Sequence, residues 1–227
     1  MQAAILLRVV VLFWVRFGMI NCLICLVVGY LCGSVLTAEI VARRLAGRSV
    51  FEIGDGNPGM ANVGHELGTP AALACLAGDI LKTLLPILVL DRLFPAQSWQ
   101  VVCAWTGMGA TLGHIFPFWH GFRGGKGVTT IASTIILMAP LWGILAGVVG
   151  VATIIVSGYL SVAAVVAIVF YTVALALLHF PLDCLLCSTI FVLLEFKAHW
   201  SKLRGIPSGA THRASLSTKF WAKVRGE

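Results

Sequence analysis

The chain has 227 residues, 59% of them apolar and 11% charged, with a mean hydropathy of +0.97. A soluble domain has an apolar share of about 45–50%, so composition excludes that class and points to an integral membrane protein. The net charge of +7 does not indicate nucleic acid, because the lysines and arginines collect in short segments between apolar runs and near the C-terminus, as membrane topology requires.

In chain order, residues 3–15 form an apolar stretch too short to span, with Arg8 inside it and Arg16 directly after it, and without the small-residue cleavage site of a signal peptide. Residues 1–18 therefore read as a surface-lying extension, with Met19 as an alternative start. Apolar runs follow at 19–38, 71–90, 99–118, 128–156, 159–180 and 182–194. A membrane-spanning helix needs roughly 20 residues. Pro140 interrupts the run at 128–156, which is either one bent helix or two short ones. The expected fold is an all-α integral membrane protein, a polytopic bundle of about seven transmembrane helices, five to seven by hydropathy. Residues 19–205 form its membrane domain and 206–227 a basic, flexible tail.

Orientation follows from charge. Arg43, Arg44 and Arg48, then Arg123 and Lys126, then Lys197, Lys202, Arg204, Arg213, Lys219, Lys223 and Arg225 mark one side, while the opposite connections hold Arg92 as their fixed positive charge. The first set is expected to be cytoplasmic. Cys22, Cys25, Cys32, Cys75, Cys103, Cys184 and Cys187 all lie within apolar stretches and read as membrane-embedded free thiols. Two CxxC spacings lack the second pair or histidines of a zinc site, so no metal is expected.

Two glycine-rich segments fall on the cytoplasmic side: Gly54-Asp55-Gly56-Asn57-Pro58-Gly59 and Gly121-Phe122-Arg123-Gly124-Gly125-Lys126-Gly127. The first is equally readable as a simple turn. The second opens into an apolar run and so sets a helix N-terminus beside Arg123 and Lys126, where an anion is favoured. It is not a nucleotide P-loop, since His120 and Gly127 stand where that motif requires Gly and Ser or Thr. The chain also lacks a histidine followed four residues later by aspartate, the mark of soluble-type glycerolipid acyltransferases.

Asp79 and Lys82 share a helical face at i, i+3 within the second long run. Charges at that depth pair with one another or face a polar cavity, so Lys82 is either half of a structural pair or part of the anion site. Glu39 reads as structural. His114, in Gly113-His114-Ile115-Phe116-Pro117, lies near a helix end and reads equally as a packing residue or a base. His65, His120, His179, His199 and His212 carry weaker cases.

Gly33-Ser34, Gly56-Asn57-Pro58-Gly59 with Asn62-Val63, Asp79-Ile80-Leu81-Lys82, Gly113-His114-Ile115-Phe116-Pro117 and Gly124-Gly125-Lys126-Gly127-Val128 occur in this order. Together they resemble the bacterial acyl-phosphate-dependent glycerol-3-phosphate acyltransferases, closely over 19–161 and more loosely to residue 205. The resemblance implies a multi-pass enzyme of the cell (inner) membrane with its active-site loops and C-terminus in the cytoplasm. It would move an acyl group from acyl phosphate to the 1-hydroxyl of glycerol 3-phosphate, giving lysophosphatidic acid for phospholipid synthesis. No cofactor, metal or nucleic acid is implied; the partners would be the two substrates, membrane lipids and the acyl-phosphate-producing enzyme.

By position, the resemblance makes His114, Ser34, Asn57 and Asp55 the catalytic set. Gly56, Gly59, Asn62, Arg123, Gly124, Gly125, Lys126, Gly127, Ser161 and Lys82 would bind substrate or phosphate. The chain departs from the family pattern at Asp55 in place of serine, at Met60-Ala61, at His65 and Gly158 in place of arginines and at Ala164 in place of serine, and the family's His-Arg-Glu-Asn stretch has no clear counterpart where the chain reads Phe196-Lys197-Ala198-His199-Trp200. Fewer cations and an added carboxylate weaken dianion binding, and Asp55 is positioned in sequence to act as a base. An altered acceptor, or a non-catalytic relative that binds acyl phosphate or lipid phosphate, is therefore the alternative. A transporter is disfavoured because no inverted repeat is evident.

Overall fold

The structure, a computed structural model, describes residues 2–211 and 213–225 and the side chains of 18–211, 213, 214, 217, 218 and 220–225. His212 and the side chains of Arg8, Arg16 and Lys219 lie outside the described set. Ten α-helices are present among the described residues, with no strand. They are α1 (Gln2–Gly33), α2 (Thr37–Ala46), α3 (Met60–Leu67), α4 (Thr69–Leu93), α5 (Trp99–Ile115), α6 (Val128–Met138), α7 (Pro140–Ser157), α8 (Leu160–Leu177), α9 (Leu182–Arg204) and α10 (Ser215–Arg225). Short 3-10 turns occupy Val50–Glu52 and Phe118–His120.

Among the described residues, five segments, built on α1, α4, α5, α7 and α8, are long and apolar enough to cross a bilayer, and α6 is a shorter apolar helix. The long run at 128–156 resolves into two helices. Pro140 starts α7 at a position where its missing N–H costs nothing, and Ala139 before it is extended at φ −147°. The weak last run becomes a 23-residue helix, α9, because its apolar first half continues into a polar second half that ends at Arg204.

The closest helix packing joins α1 and α5. A Cβ on Gly29 or Gly33 would collide with the main chain of Thr106 and Ala110, and one on Gly109 or Gly113 with that of Leu26 and Tyr30. Two small-residue ridges at i, i+4 thus lie face to face, the arrangement that lets backbones meet where lipid provides no hydrophobic drive between helices. Ser34 and His114 each follow directly after the last glycine of a ridge.

The main core gathers Met138, Ile168, Tyr171, Leu175 and Phe191 from α6, α8 and α9 against α5. The fully buried Tyr171 donates its hydroxyl proton to Ile135 O at 3.1 Å. Ile135 O also accepts from Ala139 N, so Tyr171→Phe orphans no acceptor. That variant is expected to lose about 1 kcal/mol, the net worth of one hydrogen bond, in detergent unfolding.

The stretch read as a flexible tail contains α10, which docks on α7. Ser217 Oγ and Trp221 Nε1 both donate to Ile155 O (3.1 and 2.9 Å), and Ala214 N donates to Gly158 O at 2.7 Å. The last carbonyls of a helix have no partner within it, and α10 supplies one from outside.

Candidate functional site

Chain direction brings the informative segments to one end of the bundle. Helices α1, α5, α7 and α9 end there, and α2, α4, α6 and α8 begin there. The second glycine loop, 121–127, then turns back into the bundle beside α5. Gly125 N donates to His114 O at 3.0 Å, and Gly127 packs beside Thr111 and Ile115. The loop therefore descends about one helical turn, which is why α6 needs just 11 residues to reach the far end, where Trp99 Nε1 donates to Leu137 O at 2.6 Å. Irregular backbone at that depth is tolerated where it lines a cavity.

Such a cavity is present, about 410 Å³ in volume and lined by Asn57, Phe122, Arg123, Gly124, Gly125, Lys126 and Lys197. Three cations thus meet the glycine amides ahead of α6, an arrangement suited to an anion. Burial lowers the Lys126 pKa below the usual lysine range; Lys202 adds to this, while Asp55 and Glu195 oppose it. Arg123 also lies over the Phe51 ring, 5.6 Å from its centroid.

The first glycine loop stands over this cavity. Asn62 is buried and staples the loop: its Oδ1 accepts Asp55 N and its Nδ2 donates to Ile53 O, both at 3.0 Å. Asp55 Oδ1 accepts Asn57 N at 3.1 Å, which leaves the Asn57 side chain to line the cavity. Gly54 and Gly56 have φ of +53° and +70°, the left-handed region that glycine enters without steric cost. Gly59 is the N-cap of α3. Glu39 anchors the loop's approach by accepting from Val50 N, Ser49 Oγ and Arg43 Nε, the structural role expected of it.

Four expected site residues belong to neither glycine loop. The Ser34 hydroxyl is buried and committed, donating to Leu31 O at 2.7 Å and accepting from Trp119 Nε1 at 2.8 Å. Lys82 reaches from α4 to Val35 O at 3.0 Å and His114 Nδ1 at 2.8 Å, and pairs with Asp79 at 2.8 Å. His114 itself is 4% exposed and touches the second loop from beneath. Ser161, in the first turn of α8, is buried, and its Oγ has no hydrogen-bond partner among the described residues. Removing Lys82 would strand a buried carboxylate; Lys82→Met is expected to cost about 3–5 kcal/mol in unfolding measurements, and Asp79→Asn with Lys82→Met together much less.

Sequence reasoning missed two groups. Glu195 and His199, i and i+4 on α9, are each 2% exposed, with Oε2 and Nε2 3.2 Å apart. Glu195 acts on Lys126 and borders an apolar cavity of about 220 Å³ between α6, α7 and α8 that begins at Val128. Two ionisable residues at i, i+4 just beyond the apolar run 182–194 were the available signal. The second group is Arg213, whose side-chain stem lies across Gly158 at the α7–α8 junction, where φ is +83°. Nothing local in sequence joins residues 55 apart.

Residues 23–209 match the family model described as glycerol-3-phosphate acyltransferase. Similar proteins include the glycerol-3-phosphate acyltransferase of Halalkalibacterium halodurans, 31% identical over 83% of this chain and 93% of that one. That of Mesorhizobium japonicum is 34% identical over 80% and 91%. Among solved structures, the glycerol 3-phosphate form of PlsY, an integral membrane glycerol 3-phosphate acyltransferase, superposes with a TM-score of 0.76 at 27% identity, covering 88% of this chain and 98% of that one. Its lysophosphatidic acid form gives 0.75 at 26%. The fold is that of an integral membrane protein, and the chain belongs to the glycerol-3-phosphate acyltransferase family.

Proposed function

We propose that the protein transfers an acyl chain from acyl phosphate to the 1-hydroxyl of glycerol 3-phosphate, releasing lysophosphatidic acid and phosphate. The site faces the cytoplasm from the cell membrane, and the acyl phosphate comes from the enzyme that makes it. The observation that carries this reading is the step from Gly127 to Val128, where a three-cation, glycine-lined cavity meets apolar grooves on both flanks of α6. A ligand with a phosphate head and a hydrocarbon tail fits that junction. The orientation rests on Arg123, Lys126, Lys197, Lys202 and Arg204, all at the loop end.

Acyl phosphate is a mixed anhydride. The acceptor oxygen bonds to the acyl carbon, the bond from that carbon to the phosphate oxygen breaks, and the phosphate leaves with the electron pair. Positioning two phosphates and stabilising developing charge is therefore most of the catalytic task. In this reading Lys126, Arg123 and the amides of Gly124, Gly125 and Gly127 hold phosphate. Asn57 lines the acceptor side, Asn62, Gly56 and Gly59 shape the first loop, and Ser161 lies at the tail end. Ser34 holds Trp119 through its hydroxyl. The alcohol proton needs a basic group, and Asp55 at the loop and His114 beneath it are the two side chains to weigh.

The test is transfer from palmitoyl phosphate to radiolabelled glycerol 3-phosphate by purified protein in detergent or nanodiscs. Lysophosphatidic acid is the expected product, and its absence with intact folded protein would overturn the reading. Asp55 and Glu195, both acting on Lys126, favour a second reading in which a less charged alcohol is accepted. Labelled glycerol in the same assay separates the two.

A further inference from the structure

We propose that Lys82 and Asp79 hold His114 as the neutral tautomer protonated at Nε2, so that the imidazole is a fixed hydrogen-bond donor that positions the second glycine loop and not the general base. The inference rests on the proposed transfer reaction for its functional half and on geometry alone for its tautomeric half.

An ammonium group donates three hydrogen bonds and accepts none. Lys82 Nζ lies 2.8 Å from His114 Nδ1 and 3.0 Å from Val35 O, and Asp79 Oδ1, 2.8 Å away, pairs with its charge. The Lys82 and Asp79 side chains are 7% and 3% exposed, so water competes little for these contacts. Nζ thus faces three acceptors, Val35 O, Asp79 Oδ1 and Nδ1, one for each N–H of an ammonium. An Nδ1–H would then set two donors against each other 2.8 Å apart, so Nδ1 must be bare. The other arrangement, Nδ1–H donating to Asp79 as in a hydrolase triad, is ruled out by the 3.8 Å separation of Nδ1 and Asp79 Oδ1. A neutral imidazole with a bare Nδ1 carries its proton on Nε2.

Nε2 is the edge turned toward the loops. A Cβ built on Gly125 would collide with Nε2 and stand 2.9 Å from Pro58 O, so the imidazole, the Gly-Gly step and the first glycine loop converge at one point. The main chain of residue 114 grips the same place by accepting Gly125 N at 3.0 Å. His114 thus binds Gly125 through its carbonyl and packs its ring against the same residue. Its sole basic nitrogen is occupied by Lys82 on the side away from the cavity, which leaves no lone pair to receive the acceptor's proton. Of the two side chains weighed above, Asp55 remains.

Two measurements test this on the full chain. In detergent micelles, long-range proton–nitrogen NMR of protein labelled with 15N-histidine reports the tautomer, with the His114 signals identified by their loss in His114→Gln, or in His114→Asn where the first variant does not fold. A bare Nδ1 and a protonated Nε2 are expected; a protonated Nδ1, with or without Nε2, overturns the proposal whether or not the protein transfers acyl groups. In the transfer assay, His114→Gln, whose amide keeps a donor near Nε2 but is no base, is expected to stay within about tenfold of the parent. His114→Ala is expected to fall by about 10²-fold, the cost of a site displaced by about 1 Å. Equal losses in Gln and Ala, with both variants folded, would make the imidazole a base and sink the positioning role. An inactive parent would instead count against the transfer reaction while leaving the NMR result standing.

Discussion

Lys126→Ala is expected to lower kcat/KM for glycerol 3-phosphate by about 10²–10³, with no loss of folded protein. Lys126 is partly exposed at the cavity wall and makes no structural ion pair among the described residues, so its removal strands no buried partner. It lines the cavity that in the proposed reaction takes substrate phosphate, and a placed electrostatic contact of that kind is worth about 2.7–4 kcal/mol. Lys126→Arg preserves charge but exchanges a compact ammonium for a planar fork, and should retain part of the activity. The alkaline limb of the pH profile gives a second check. Burial sets the Lys126 pKa below the ordinary lysine value of about 10.4, so the cation is intact at neutral pH and lost as pH rises through the lowered value. Phosphate affinity should accordingly decline at a lower pH than an ordinary lysine would give. In Lys126→Arg, whose charge persists throughout, that limb should disappear. An unchanged limb in the arginine variant would mean that another group controls alkaline inactivation.

The long apolar helices and the second loop were legible in the sequence because each is encoded locally. Apolar runs of about 20 residues give spans, and Gly124-Gly125-Lys126-Gly127 before an apolar run gives an anion-binding helix start. The Pro140 break was visible as a choice between two outcomes, and Ala139 in extended conformation settles it. Three features were not legible, each because it depends on contacts between distant residues. The resemblance put Ser34 in the catalytic set, and nothing local foretold that its hydroxyl accepts from Trp119, 85 residues later. The pairing of Lys82 with Asp79 was visible at i, i+3, but its contact with His114, 32 residues on, was not. The docking of α10 likewise depends on Ile155 O, a carbonyl that no side-chain pattern reveals. The glycines of α1 and α5 fall between these cases, since their i, i+4 spacing was readable while their opposition was not.

That opposition leads to the largest expected effect on stability. Gly33→Leu should yield no monodisperse folded protein, and Gly33→Ala should already lower the unfolding temperature sharply. A Cβ at residue 33 would run into Ala110 O, C and Cα, and all three are main-chain atoms of a buried helix that cannot rotate aside as a side chain would. Overpacking of this kind costs typically about 1–3 kcal/mol where side chains can yield, and more where the two helices must separate. Separation would also displace Ser34 and His114, so activity should fall faster than stability in any variant that still folds. Gly147 on α7 provides the contrast. A Cβ there meets nothing within 4 Å, and its φ is not in the left-handed region. Gly147→Ala is expected to be neutral or stabilising by up to about 1 kcal/mol through helix propensity. The same chemical change thus has opposite signs at two helical glycines. Thermal unfolding in one detergent, followed by size-exclusion fluorescence, measures both, and a Gly33→Ala protein as stable as its parent would show that α1 and α5 do not meet through these ridges.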